Sequence, residues 1–134
     1  MTTIARLADE LDFGPAPEDA GIVGTFLADH SGGFGHFIDG AFTAPGTLFE
    51  VRNPATGEPL ARVSEGRTED IDAAVAAARG AQPMWAALSC HERARHLYAI
   101  ARHVQQHSRF LAVLETLDNG KPINETRDVD VPLA

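Results

Sequence analysis

Leu114-Glu115-Thr116-Leu117-Asp118-Asn119-Gly120-Lys121-Pro122 is the stretch that most directs the reading of this chain. Leu111, Leu114 and Leu117 recur at helical spacing, and the apolar run ends at Asn119-Gly120 with Pro122 just beyond. Gly and Asn tolerate the left-handed backbone that ends a helix, and a proline after it prevents the helix from resuming. A well-made helix stop is therefore expected here, with an amphipathic helix in front of it.

Upstream of the stop, the chain from Thr68 reads as mainly helical. Thr68 is the expected N-cap, and Glu69, Asp70 and Asp72 suit the positive end of the helix dipole. Ile71, Ala74, Val75 and Ala78 make a narrow apolar stripe, which Gln82-Pro83-Met84-Trp85 is expected to interrupt. A long amphipathic helix then starts near Ser89, with Leu97, Tyr98, Ala101 and Val104 on one face, and Ser108 is expected to recap it.

Before Thr68 the pattern is extended. His36-Phe37-Ile38, Asp39-Gly40 and Ala41-Phe42-Thr43 read as a tight hairpin, because Asp-Gly suits turns with positive φ. Leu48 to Arg52 and Leu60 to Val63 flank the turn Asn53-Pro54-Ala55-Thr56-Gly57-Glu58. Phe49 and Val51 share one strand face, as do Ala61 and Val63, and these faces require a cover. Further back, Gly32-Gly33-Phe34-Gly35 breaks a short helix over Ala20 to His30 carrying Val23, Phe26 and Leu27. Gly14-Pro15-Ala16-Pro17 ends another, capped by Thr3, with Ile4, Leu7, Ala8 and Leu11 on one face. The expected division is a helical leader over 1–33, strands over 34–66 and helices over 67–134.

The totals bound the function. At 134 residues the chain is long enough for one core and too short for a cofactor domain plus a substrate domain. A formal net charge of −8 argues against nucleic acid and anionic membranes, both of which need a basic surface. No run approaches the roughly 18 apolar residues of a spanning helix. The start, Met1-Thr2-Thr3-Ile4-Ala5-Arg6-Leu7, lacks the form of a signal peptide, and the single Cys90 excludes an internal disulfide. A cytoplasmic location follows as the default. The end, Asp128-Val129-Asp130-Val131-Pro132-Leu133-Ala134, has no polar tail and no capping chemistry. It reads as a cut chain, with a short apolar terminus docked on the core as the rival.

Several motifs invite chemistry and fail on spacing. After Gly33-Phe34-Gly35, Ile38 stands where G-x-G-x-x-G needs its third glycine, so loop flexibility is the better reading. In His91-Glu92-Arg93-Ala94-Arg95-His96 the second histidine falls one residue late for H-E-x-x-H, about 100° off the first one's helix face. His103 and His107 share a face but lack a third ligand, which favours solvated surface histidines over a metal site. Cys90 stands near a helix start beside His91 without a catalytic constellation, so an incidental thiol is favoured. Asn124-Glu125-Thr126 fits a glycosylation sequon but has no secretory context, and Glu125, Asp128 and Asp130 read as an exposed helix start rather than a cation site. No nucleophile, base and oxyanion donor assemble.

Taken in order, these segments resemble the N-terminal part of the aldehyde dehydrogenases. The resemblance rests on Phe37-Ile38-Asp39-Gly40, Asn53 to Glu58, Leu60 to Val63, the Ala-rich Thr68 to Arg79, Trp85, Glu92 to Leu97, and Leu114 to Pro122, within residues 34–134. Leu11-Asp12-Phe13-Gly14-Pro15-Ala16-Pro17-Glu18 and the run from Arg127 to Ala134 resemble the family-16 branch. The resemblance implies an α/β fold: short β-hairpins, then amphipathic helices, incomplete without a downstream cofactor-binding sheet. It also implies a parent that oxidises an aldehyde to a carboxylic acid with NAD or NADP. There, a cysteine thiolate attacks the carbonyl, a glutamate activates water, and an asparagine stabilises the oxyanion.

All three of those residues, and the cofactor-binding units, lie downstream in the family. Cys90, in Leu88-Ser89-Cys90-His91, does not match the nucleophile. No catalytic, cofactor-binding or metal-binding residue is assigned to this chain. The expectation is a structural, inactive fragment whose partner is the remainder of its own chain. The parent is expected to be a homodimer acting on a small aldehyde, with neither nucleic acid nor membrane involved. The rivals are a non-catalytic, dehydrogenase-like interaction or scaffold module, and a small helical metal protein using His103 and His107.

Overall fold

Each element of the fold can be traced to local chemistry. The computed structural model describes residues 18–134, so the helix expected over Ile4 to Leu11 lies outside the described residues. The first described helix, α1 (Gly21–Asp29), buries Val23. Two short hairpins follow. Strands β1 (Phe37–Ile38) and β2 (Ala41–Phe42) pair antiparallel, Phe37 opposite Phe42. Their turn holds Asp39 at φ 53° and Gly40 at φ 78°, the two positive values that a right-twisted two-residue hairpin needs.

Strands β3 (Leu48–Arg52) and β4 (Pro59–Ser64) also pair antiparallel, with Phe49 opposite Val63 and Val51 opposite Ala61. The expected apolar faces of the two strands are therefore one face. The intervening turn is held by Gly57 N–H donating to Asn53 O at 2.7 Å and Asn53 N–H donating to Glu58 O at 3.0 Å. Phe34 lies alongside β4 as a one-residue parallel bridge: its N–H donates to Arg62 O and its carbonyl accepts from Ser64 N–H, each at 2.9 Å. The expectation of a flexible glycine loop is corrected at this residue, because a single bridging residue leaves no period for sequence to display.

The helical half begins with α2 (Thr68–Ala87). Its cap is Arg67 rather than Thr68, and the Asp70 carboxylate accepts the Arg67 N–H at 2.9 Å. Pro83 does not interrupt α2, which runs through it to Ala87. Proline forfeits one hydrogen bond, to the carbonyl of Arg79, and on an exposed helix water can serve that carbonyl. Helix α3 (Cys90–Gln106) starts at the expected place: Ser89 Oγ accepts Glu92 N–H at 3.2 Å, while the Glu92 carboxylate accepts Ser89 N–H at 2.9 Å. His107, not Ser108, is the junction between α3 and α4 (Ser108–Asn119).

Helix α4 ends as expected at Gly120, whose φ is 76°. Beyond it, α5 (Ile123–Glu125), a π-helical turn (Thr126–Asp130) and α6 (Val131–Leu133) run on without a break. The expected exposed helix start at Glu125 to Asp130 is instead the middle of this run. Thr126, fully buried, shares a side-chain hydrogen bond of 2.9 Å with Thr116 and donates to Ile123 O at 3.0 Å. The bond to Thr116 fastens the run to α4.

The core is small. Val23, Ala112, Val113 and Val131 are the buried apolar side chains among the described residues, where α1, α4 and the final run meet. Neither α2 nor α3 buries any residue. Ile71, Val75, Leu97 and Tyr98 are 62%, 43%, 59% and 77% exposed, so much of the apolar faces anticipated for these helices is uncovered.

Candidate functional site

An apolar cleft of about 640 Å³ lies between the β3–β4 hairpin and the helices. Val51, Leu60, Ala61 and Val63 supply the strand wall, the face whose cover the sequence demands. Phe26 and Leu27 of α1, Val104 of α3, and Leu111 and Leu114 of α4 supply the helical wall. Val131 and Ala134 close one end, while Phe34 and Phe42 also contribute. Phe26 anchors this arrangement through an edge-on contact with Phe110, centroids 5.1 Å apart, and a stacked one with Phe34 at 5.8 Å.

The charged members of the lining are Glu115, Asp118 and Asp130. Asp130 is already engaged by the Lys121 ammonium. That hydrogen bond is the main reason the Lys121 side chain holds its proton above the ordinary lysine range. The lining contains no serine, threonine, cysteine, lysine, histidine or tyrosine, so its ionisable side chains are the three carboxylates alone.

The residues singled out by sequence are scattered around this cleft. Cys90 is exposed at the first turn of α3, away from the lining. His96 lies against the Trp85 ring, with centroids 5.8 Å apart. His103 and His107 approach to 4.5 Å between ring centroids. Among the described residues, no group of three His, Cys, Asp or Glu could hold a metal ion. The glycine cluster does not fit a phosphate cradle, since the Phe34 N–H and carbonyl are committed to β4 and no helix begins there.

The acidic residues near the end of the chain are spoken for singly. Asp128 receives Arg127 Nε at 2.6 Å and Nη2 at 2.7 Å, and Glu18 receives Arg127 Nη1 at 3.0 Å. The bonds to Asp128 first, then Glu18, hold the guanidinium above its usual range, and Arg127 in turn lowers Asp128.

Two sequence motifs meet in space. The Gly120 stop sits against the 53–58 turn so closely that a Cβ at Gly120 would lie 2.8 Å from Pro54 Cγ. Sequence reasoning found both motifs but not their contact. It also missed the Thr116–Thr126 pair and the approach of His36 Nε2 to Asp70 at 3.6 Å. None of these contacts has a local pattern to announce it.

No helix among the described residues is long and apolar enough to cross a membrane. A family model described as "Aldehyde dehydrogenase family" matches residues 42–134. DhaS of Bacillus subtilis (strain 168), provisionally named an aldehyde dehydrogenase, is 49% identical over 102 residues, covering 73% of this chain and 21% of that protein. Acetaldehyde dehydrogenase 2 of Cupriavidus necator is 44% identical over 101 residues, covering 74% of this chain and 20% of its own length. The NAD+ complex of an aldehyde dehydrogenase from Bacillus cereus superposes with a TM-score of 0.75 at 40% identity, over 90% of this chain and 24% of that one. The chain thus spans about a fifth of the curated relatives it matches. Its short hairpins and helices are those of the N-terminal part of their fold. This chain belongs to the aldehyde dehydrogenase family.

Proposed function

We propose that this chain is the opening structural portion of an NAD(P)-dependent aldehyde dehydrogenase and is not catalytic by itself. The observation that carries the proposal is the 640 Å³ cleft, apolar on both walls, in a chain that spans about one fifth of the length of its relatives. In the parent, the thiolate, the glutamate base, the asparagine and the dinucleotide site belong to the remainder of the chain. The residues described here do not fit a dinucleotide, so no step of the oxidation is assigned to them. Their work is to present the β3–β4 face and the uncovered sides of α2 and α3 to the remainder. A homodimeric, cytoplasmic parent acting on a small aldehyde accompanies this reading, and the family-16 likeness is not needed for it.

The test compares two products of one gene: the 134-residue chain and the reading frame continued past the codon for Ala134. NADH formation with small aldehydes is expected from the longer product and not from the shorter. Turnover by the 134-residue chain alone would overturn the proposal. A stop codon directly after Ala134, with a monodisperse folded chain, would favour the non-catalytic scaffold module instead.

A further inference from the structure

We propose that Asn119 is a self-modification site gated by the helix stop: when the end of α4 opens, Gly120 closes on the Asn119 side chain and the amide is lost. The chain has three asparagines, Asn53, Asn119 and Asn124. Ring closure needs an N–H on the following residue and little bulk there. Asn53 precedes Pro54, which has no N–H, and Asn124 precedes Glu125, whose Cβ hinders approach. Asn119 precedes Gly120, which has an N–H and no Cβ, and it is solvent-exposed.

The reaction is balanced by water alone. The Gly120 amide nitrogen gives its proton to solvent and bonds to Asn119 Cγ. The Cγ–Nδ2 bond breaks, and ammonia leaves with a solvent proton. Water then opens either carbonyl of the succinimide, leaving an aspartyl or an isoaspartyl link. Nothing is oxidised or reduced.

The folded stop obstructs each participant. The Gly120 N–H is committed to Thr116 O at 3.0 Å. Asn119 Oδ1 accepts the Lys121 N–H at 2.8 Å, and Nδ2 donates to Glu115 Oε1 at 3.3 Å. Gly120 is backed by the Pro54 ring, and the Lys121 ammonium is tied to Asp130 in the following run. Attack therefore requires the stop to open as a unit, and its rate follows the open fraction. The isoaspartyl product cannot close again in register. An isoaspartyl link lengthens the backbone by one carbon, and either product adds a negative charge beside Asp118 at the negative end of the helix dipole. A chain that has reacted is marked permanently.

The experiment incubates the 134-residue chain at mildly alkaline pH across a series from sucrose to urea. Helix content is read by circular dichroism, modification by peptide mass and isoaspartate detection. Modification is expected at Asn119 and not at Asn53 or Asn124, with a rate rising about ten-fold or more as helix content is lost. Lys121→Ala, which keeps the backbone N–H but releases Asp130, is expected to react faster than the parent at equal helix content. A rate at Asn119 that ignores helix content, a Lys121→Ala rate equal to the parent's, or modification centred on another asparagine would each overturn the proposal.

Discussion

Gly120 does two things that no other residue type can do together. It takes φ of 76°, and it lets the Pro54 ring approach to where a side chain would stand. Gly120→Ala should cost about 1–2 kcal/mol for the left-handed backbone, with a further penalty for displacing Pro54. A fall in the urea midpoint without a change in slope would register it. Thr126→Val should cost about 1–3 kcal/mol, because it strands the Thr116 hydroxyl. The companion Thr116→Val, Thr126→Val double change should recover part of that loss, and a double-mutant cycle that simply adds would refute the pairing. These two positions mark the range of what was legible. Gly120 announces itself through Asn before it and Pro after it. The Thr116–Thr126 pair joins two ordinary threonines across a turn, and their spacing carries no signal.

At the scale of elements, the start of α3 was readable because Ser89 and Glu92 form a reciprocal cap whose residues lie within one turn. Ser89→Ala should lower stability by about 1 kcal/mol. The Glu92 carboxyl is held below its ordinary 4.5, chiefly by the hydrogen bonds from Ser89. A depressed carboxyl pKa favours the folded form above the unfolded value and loses that contribution as pH falls through the folded one. Helix content of α3 should therefore decline on acidification below about pH 4.5, and Glu92→Gln should flatten that decline. An unchanged acid profile in the variant would remove Glu92 from the account. The end of α2 was not readable, because Pro83 normally signals a break and here does not. Its cost, about 3 kcal/mol in an exposed helix interior, is borne within a helix of 20 residues. The strands were placed to within a residue or two, since alternation and Asp-Gly are local signals. Phe34's bridge to β4 was not, since it is only one residue long.

For the whole molecule, the sequence predicted apolar faces in want of partners, and the structure leaves them so. Val23, Ala112, Val113 and Val131 are a slight core for the described residues 18–134. The 134-residue chain is accordingly expected to melt broadly and at low temperature, and to bind a hydrophobic dye. A sharp calorimetric transition at high temperature would contradict this. Family membership was foreseen from the order of short motifs. The cleft was not foreseen as a shape, because its walls come from strands and helices far apart in sequence. One contact carries a topological consequence. Arg127 and Glu18 meet at 3.0 Å across 109 positions, and closing such a loop costs about 4 kcal/mol in chain entropy. A partly exposed ion pair repays little of that. It reports a closure made elsewhere, by α1 settling onto α4. Beginning and end of the described chain are thus spatial neighbours. A short linker could join them and new termini be opened in the exposed turn at Thr56-Gly57, giving a rearranged connectivity around the same contacts.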